Sequence, residues 1–409
     1  MHNYIHRTIE TDWENISRQF PALLLTGPRQ VGKTTLLEHL REKGRKIVSL
    51  DDINLRSLAR RDPALFLQRY SPPVLIDEIQ YAPELLPAIK NVIDRARVPG
   101  AFWLTGSQQF QMMKGITESL AGRVAIVHLL GFSAREKEQR NIRVFPFLPT
   151  GKILRARSEP ASTTDLNKVY QTIWQGSFPA ITTGQIKHHD LFYRSYLQAY
   201  LQRDVRDLSQ VGDLETFARY VRACAARTAQ MLNYTDLARD CGISLNTARN
   251  WMSILTASFM VYLLPPYHNN ITKRLCKTPK LYFLDTGLCA YLTEWTSPKT
   301  LEAGAMSGAI LETHVVAEIL KSWWNRIQFP NLYYYRDKDG REIDLLISKD
   351  NRLYPVEIKK AAKVSPSDIS SFVALRRFNR QVGEGAVVCL CAELFPIDSH
   401  NSAIPVNLL

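Results

Sequence analysis

A chain of 409 residues with 45% hydrophobic residues is too long for one hydrophobic core and is expected to fold as about three globular domains. Its 52 Lys and Arg against 39 Asp and Glu leave a net charge of +13, which favours polyanions, nucleic acid first, through counterion release. No apolar run approaches the ~20 residues of a membrane helix, the first residues lack a signal-peptide core, and the six cysteines form no Cys-x-x-Cys pair; a membrane span, a secretory route, a zinc site and a disulfide framework are therefore not expected, and the protein reads as cytoplasmic with reduced core cysteines.

Residues 4 to 20 have the spacing of an amphipathic helix that ends at Pro21. The apolar run Ala22-Leu23-Leu24-Leu25 then reads as a strand leading into Gly27-Pro28-Arg29-Gln30-Val31-Gly32-Lys33-Thr34, a full match to the phosphate-binding P-loop, with Thr35 opening the helix that follows. Gly27 and Gly32 let the backbone curl so that its N–H groups converge, and the helix beginning near Lys33 adds its positive end. Lys33 is placed to reach the β- and γ-phosphates of ATP, and the Thr34 hydroxyl to ligate Mg²⁺. The nine residues from Gly27 to Thr35 are the expected nucleotide contacts.

Strand 45–52, helices 53–60 and 63–70 and the strand Val74-Leu75-Ile76-Asp77-Glu78 continue the strand–helix rhythm of a parallel sheet. Asp77 is expected to hold Mg²⁺ through its water shell, and Glu78 to polarise the water that attacks the γ-phosphate. The next strand, Ala101-Phe102-Trp103-Leu104, ends in Thr105-Gly106-Ser107-Gln108. A polar side chain at its tip, between the P-loop and Asp77 strands, is placed to sense the γ-phosphate; Thr105 and Ser107 are the candidates, with helix capping as the other reading.

Gly-Pro-Arg-Gln-Val-Gly-Lys-Thr-Thr (27–35), Leu-Ile-Asp-Glu-Ile-Gln (75–80) and Leu-Thr-Gly-Ser-Gln (104–108) together resemble a prokaryotic AAA-family ATPase group with a C-terminal domain of PD-(D/E)XK nuclease fold. The stretches 174–179 (Trp-Gln-Gly-Ser-Phe-Pro), 200–205 (Tyr-Leu-Gln-Arg-Asp-Val) and 283–288 (Phe-Leu-Asp-Thr-Gly-Leu) extend that resemblance over most of the chain. It implies an α/β multidomain protein: an AAA-type P-loop core over 1–140, a connector and helical lid over 141–212, a winged helix over 213–298 and a restriction-endonuclease-like α/β domain over 299–409. Arg123, just before the fifth strand, sits where AAA-type ATPases place the arginine finger that completes a neighbouring subunit's site. That reading implies a homo-oligomer; a contact within the same chain is the other.

The middle of the chain is helical, and His188-His189-Asp190 reads as a helix start, because adjacent histidines cannot face the same way on a helix. From Leu214 the pattern shifts to short helices: 214–230, 235–240, a turn at Cys241-Gly242-Ile243, and 244–255 capped by Ser244, with wing strands at 259–264 and 280–284. Asn246, Arg249 and Asn250 are expected to face outward, toward DNA or toward a protein partner.

The last hundred residues carry a second chemistry. A helix over 308–320 holds Glu312; strands 332–336 and 341–347 flank the turn Asp337-Lys338-Asp339-Gly340, and Val356-Glu357-Ile358-Lys359 follows. Alternation places Glu357 and Lys359 on one face, pointing toward Asp344 if its strand is adjacent. Two carboxylates beside a lysine suit one or two Mg²⁺ ions, a water held for in-line attack on a phosphodiester, and the charge that develops there. The resemblance assigns metal binding to Glu312, Asp344 and Glu357, and water activation or charge stabilisation to Lys359; Glu342-Ile343 stands where a literal Pro-Asp motif differs. The expected function is ATP-dependent DNA processing with Mg²⁺-dependent cleavage, and the alternative is a nucleotide-gated switch that binds DNA or protein without cutting.

Overall fold

The computed structural model describes residues 4–106, 116, 119–140, 144–158, 165–205, 213–268, 278–378 and 380–409. Five short apolar runs form strands β1 (Ala22–Thr26), β2 (Lys46–Ser49), β3 (Val74–Asp77), β4 (Phe102–Gly106) and β5 (Val124–His128). All pair in parallel, in the order β2-β3-β4-β1-β5. Sheets covered on both faces select continuous apolar strands, and Ala22 to Leu25 and Val74 to Ile76 are fully buried. Leu24, Ile76 and Phe102 pack one face against Phe66, Leu86 and Ile89, while Leu23, Leu25, Leu75 and Trp103 pack the other against Trp13, Leu36 and Leu37. The registry Leu25↔Thr105 and the place of β4 between β1 and β3 set the three functional strand ends side by side.

The amino-terminal helix is shorter than expected, Glu10–Ser17. Ahead of it, the Arg7 side chain is drawn inward to three backbone carbonyls and the Glu136 carboxylate, which holds residues 4–8 off the helix axis. Past β5 come helices Gly151–Arg157, Leu166–Gln175, Pro179–Thr182 and His189–Ala199. His189 is the buried first residue of the last, stacked on Trp174 with centroids 3.8 Å apart and with Nε2 2.7 Å from the Trp174 carbonyl, so the histidine pair opens a helix as expected.

Next are helix Leu214–Ala225, β6 (Gln230–Met231), helix Tyr234–Cys241, helix Leu245–Ala257, β7 (Val261–Leu264) and β8 (Lys280–Phe283), with the strands antiparallel in the order β6-β8-β7. Asn233 and Ser244 cap the two central helices, and Gly242, at φ 68°, turns the chain between them. The first of these helices stops at Ala225, five residues before its expected end, where Ala229 takes φ 61° and the chain enters β6.

Helix Ser307–Trp324 leads into β9 (Asn331–Arg336), β10 (Glu342–Lys349) and β11 (Arg352–Ile358), then β12 (Gln381–Val382), β13 (Gly385–Cys389), β14 (Phe395–Pro396) and β15 (Asn401–Pro405). β9, β10 and β11 are antiparallel, whereas β11, β13 and β15 are parallel. One apolar cluster runs from Ile9 and Trp13 through Tyr193, Trp251 and Val315 to Leu409, while a second fills the other face of the five-stranded sheet and a third lies in the C-terminal sheet. Cys224, Cys241, Cys289, Cys389 and Cys391 are buried free thiols. Among the described residues no helix is long and apolar enough to cross a membrane.

Candidate functional site

The turn after β1 is a cradle that only glycine permits. Gly27 has φ 156° and a Cβ there would lie 2.0 Å from the Leu129 carbonyl oxygen; Gly32 has φ 87° at the start of helix Lys33–Leu40. Lys33 is buried and its Nζ donates to the loop's own carbonyls, Gly27 O at 3.0 Å and Pro28 O at 2.7 Å. Arg29 donates to the Tyr81 hydroxyl, 3.3 Å away. At the tip of β3, Asp77 Oδ1 accepts from the Thr34 hydroxyl at 2.8 Å and from the Thr105 hydroxyl, while Oδ2 accepts from Ser49 at 3.3 Å. Thr105 Oγ1 also accepts the Glu78 N–H at 3.1 Å, so one hydroxyl joins both acidic residues. Glu78 sits in the left-handed region at φ 57° and accepts from Gln80. A glycine cradle, a buried ammonium and a hydroxyl–carboxylate pair fit a nucleotide triphosphate and its Mg²⁺. Of the two sensor candidates, Thr105 touches Asp77 and Glu78, and Ser107 lies outside the described residues. Thr35 is exposed on the helix face turned away from the core.

A second cluster lies among the helix Ser307–Trp324, the antiparallel strands β10 and β11, and β8. The register Leu345↔Val356 continues to set Asp344 opposite Glu357, so their side chains share a face. Asp344 Oδ2 accepts the Ile358 N–H at 3.0 Å, and Lys359 pairs with Glu357 Oε1 at 3.0 Å, while Glu357 Oε2 is buried without a hydrogen-bond partner. Glu357 is itself 8% exposed, because the face expected to be open is covered. Glu312 is brought to the cluster but is already engaged: its Oε1 accepts from Lys280 at 3.1 Å and from the Tyr282 hydroxyl at 2.6 Å. Lys280 also reaches Glu342 at 2.5 Å and Asp344 at 3.6 Å. The ligand atoms of the three expected metal ligands do not all lie within 4.8 Å of one another; among the described residues three such atoms come that close only in His6, Glu10 and His39.

Burial pushes the carboxyls of Glu312, Asp344 and Glu357 above the ordinary range, and the Asp344 charge pushes Glu312 and Glu357 further. Lys280 is held above its ordinary range: burial works against its charge, and Glu312, Asp344 and Glu342 outweigh it. A buried acidic group with a carboxylate oxygen left over is the chemistry of a divalent-cation site.

Residues 19–138 match an AAA domain model, 166–299 a domain of unknown function (DUF8612) and 307–409 a second (DUF4143). An uncharacterized protein of Mycobacterium tuberculosis and one of Mycobacterium bovis are each 30% identical to this chain over 393 residues, 95% of this chain and 80% of theirs. The chain belongs to their family. Its AAA domain makes it a P-loop ATPase by family. Among solved structures, the Walker-type ATPase of Pyrococcus abyssi is 15% identical and covers 69% of this chain and 94% of its own, at a TM-score of 0.42. The RuvB Holliday junction branch migration motor of Thermotoga maritima is 14% identical, over 64% and 90%, at a TM-score of 0.31.

In this AAA-domain protein Arg123 lies at the amino-terminal edge of the sheet, the edge opposite the P-loop, where Ala22 pairs with Val124. Its guanidinium makes a two-point pair with Asp94 of the same chain, Nε to Oδ1 at 2.5 Å and Nη2 to Oδ2 at 3.1 Å. That pairing holds the Asp94 carboxyl below its ordinary range.

Sequence reasoning missed the residues that join the two sites. Arg7 donates to Val31 of the P-loop at 3.2 Å, to Leu130 at 2.8 Å and to the fully buried Glu136, which also accepts from Asn325, one residue past the end of the helix that carries Glu312. On that helix, Glu318 accepts the Ala134 N–H at 2.8 Å and pairs with Lys321 at 2.9 Å. Lys280 and Tyr282 were missed as well. Their signal is the alternation Lys-Leu-Tyr-Phe, two polar side chains on one face of a buried strand.

Proposed function

We propose that this family member is an ATP-dependent DNA-processing protein that hydrolyses ATP at the P-loop and cleaves DNA phosphodiesters with Mg²⁺ at the acidic cluster. The observation that carries the second half is the pair Asp344 and Glu357, opposed on adjacent strands beside Lys359, with one Glu357 oxygen buried and unpartnered. These residues fit a divalent ion: Asp344 and Glu357 would hold it, and it would supply Lewis-acid polarisation of the phosphate and of a bound water. Lys359, half-buried, is placed to steady the charge on the phosphate oxygens while the water oxygen bonds to phosphorus and the sugar oxygen departs with a proton.

In the ATPase half, Thr34 and Asp77 would hold the nucleotide's metal, Glu78 would orient the attacking water, and Thr105 would report the γ-phosphate to both acids. Support for DNA as the partner comes from the net charge of +13. It comes also from the helix, strand, helix, helix, strand, strand order over 214–283, which we read as a winged helix with Asn246, Arg249 and Asn250 exposed on its second central helix. The Arg7–Glu136–Asn325 chain gives the P-loop a route to the helix of the acidic cluster. An arginine finger at Arg123 acting on a neighbouring subunit is part of the proposal, and requires Arg123 to leave Asp94.

The experiment is incubation of the full chain with supercoiled, linear and branched DNA, with and without ATP, Mg²⁺ and EDTA, beside a Glu357→Gln variant. The proposal expects Mg²⁺-dependent strand breaks that EDTA and the substitution both remove. Intact DNA under every condition would leave the nucleotide-gated switch, a reading favoured by the fact that Lys280 already neutralises part of the acidic cluster.

A further inference from the structure

Four carboxylates and two ammonium groups meet at the C-terminal cluster, and they are divided between two sides. On one side Lys280 touches Glu312, Glu342 and Asp344, at 3.1, 2.5 and 3.6 Å. On the other, Glu357 has Lys359 on Oε1 and nothing on Oε2.

Lys280 differs from a surface lysine that happens to lie near acids. It is 4% exposed, its backbone is fixed in β8 by pairing with Leu264 on one side and Met231 on the other, and its ammonium lies 5.7 Å from the centre of the Tyr334 ring. Two residues on, Tyr282 points to the same face and donates to the oxygen of Glu312 that Lys280 also holds. A short strand from the middle of the chain thus delivers a charge and a hydroxyl into a site whose acids come from the last hundred residues. Withdrawing the ammonium would leave the largely buried Glu312 without the cation it pairs with and take from Asp344 its contact at 3.6 Å, while Glu342 would keep Arg336 at 3.8 Å, so the ammonium behaves as a fixture.

We infer that Lys280 is the resident cation of the acidic site, so that the site takes one divalent metal ion, between Asp344 and Glu357, and not a pair. The inference rests on the metal-binding half of the proposed function. It makes Lys280 and Tyr282 positioning residues, and it removes Glu312 from the metal's ligands. An ammonium at about 3 Å from Glu312 and Glu342 supplies one unit of the positive charge that a second divalent ion would otherwise bring to a crowded set of carboxylates.

The test is Mn²⁺ binding to the nucleotide-free full chain, followed by calorimetry and by the electron paramagnetic resonance of free Mn²⁺. An Asp344→Ala, Glu357→Ala double variant gives the background to subtract. The wild type should bind one ion at the site, Lys280→Arg also one, and Lys280→Met two. Glu312→Gln should keep the single ion with its dissociation constant changed less than threefold, while Glu357→Gln should lose it; this pair of variants decides the matter if Lys280→Met does not fold. Two ions in the wild type, or loss of the ion in Glu312→Gln, overturns the inference and leaves the metal-site reading standing. An ion that binds only after Lys280→Met also overturns it, by making the lysine a plug. No ion in the wild type or in any variant overturns the metal-site reading itself, and the inference with it.

Discussion

Thr105→Val offers a sharp test of the nucleotide site, because it removes a hydroxyl while keeping the shape of the side chain. Thr105 is fully buried; its hydroxyl donates to the Asp77 carboxylate and accepts the Glu78 N–H at 3.1 Å. A hydrogen bond to a carboxylate contributes about 1.5–3 kcal/mol, and a buried N–H left without an acceptor costs about 1–3 kcal/mol. The two share one oxygen and are not additive, so the combined effect is about 3 kcal/mol. If that loss falls on the transition state, turnover drops by about 100-fold. The assay is steady-state phosphate release under saturating ATP and Mg²⁺, with Thr105→Ser as the control that retains the hydroxyl. The reasoning expects Thr105→Ser to stay near the wild type and Thr105→Val to fall by about two orders of magnitude. Valine at wild-type turnover, within threefold, would refute it, since the link between β4 and the two acids would then have no catalytic consequence.

Three further outcomes follow from the same geometry. Gly27→Ala puts a methyl 2.0 Å from the Leu129 carbonyl oxygen, a backbone atom that cannot step aside, so ATP affinity by fluorescent-nucleotide titration should fall more than tenfold with the circular dichroism spectrum retained. Glu136→Gln leaves the Arg7 guanidinium buried without its counter-charge, and the guanidinium midpoint should report a loss of about 3 kcal/mol. Burial pushes His314 down to about 4 from 6.5, with Lys321 and Lys137 adding to it and Glu318 opposing. Its neutral form therefore stabilises the fold above pH 6.5, and that contribution is lost as pH falls toward 4, reaching about 2 kcal/mol at pH 5. Urea unfolding at pH 7 and pH 5 should show a pH dependence smaller by that amount in His314→Gln; an unchanged dependence would mean that the imidazole is not the group responsible.

The P-loop and its surrounding strands were legible because their function is local. Gly27, Gly32, Lys33 and Thr34 sit within eight residues, and an apolar strand ending in Asp77 has few other homes than the centre of a parallel sheet. The β9–β10 hairpin was legible from alternation and the turn at Asp337 to Gly340 for the same reason, whereas the pairing of β10 with β11 that sets Asp344 opposite Glu357 stood only as a condition. What the sequence hid was long-range. Lys280 lies 32 residues from its partner Glu312, and Arg7 lies 129 from Glu136, separations at which no periodicity operates. The stretches 174–179 and 283–288 were visible as motifs without a visible purpose. In the fold they meet: Asp285 accepts the Ser177 N–H and hydroxyl at 2.7 Å each, the Tyr193 hydroxyl at 2.9 Å and the Leu288 N–H at 2.7 Å, while a Cβ at Gly287 would strike the Tyr193 hydroxyl at 2.2 Å. Those motifs record packing around a buried carboxylate, which a reading for catalysis does not anticipate.

The proposed function gives one polypeptide two separate chemistries, nucleotide hydrolysis near the amino terminus and phosphodiester cleavage near the carboxyl terminus. Phosphate release and DNA strand scission, measured on the same preparations of Lys33→Ala and Asp344→Ala, test it most directly. The account predicts that Lys33→Ala loses ATP turnover, and that Asp344→Ala keeps ATP turnover while it no longer cuts. Asp344→Ala cutting DNA in Mg²⁺ as the wild type does would contradict it.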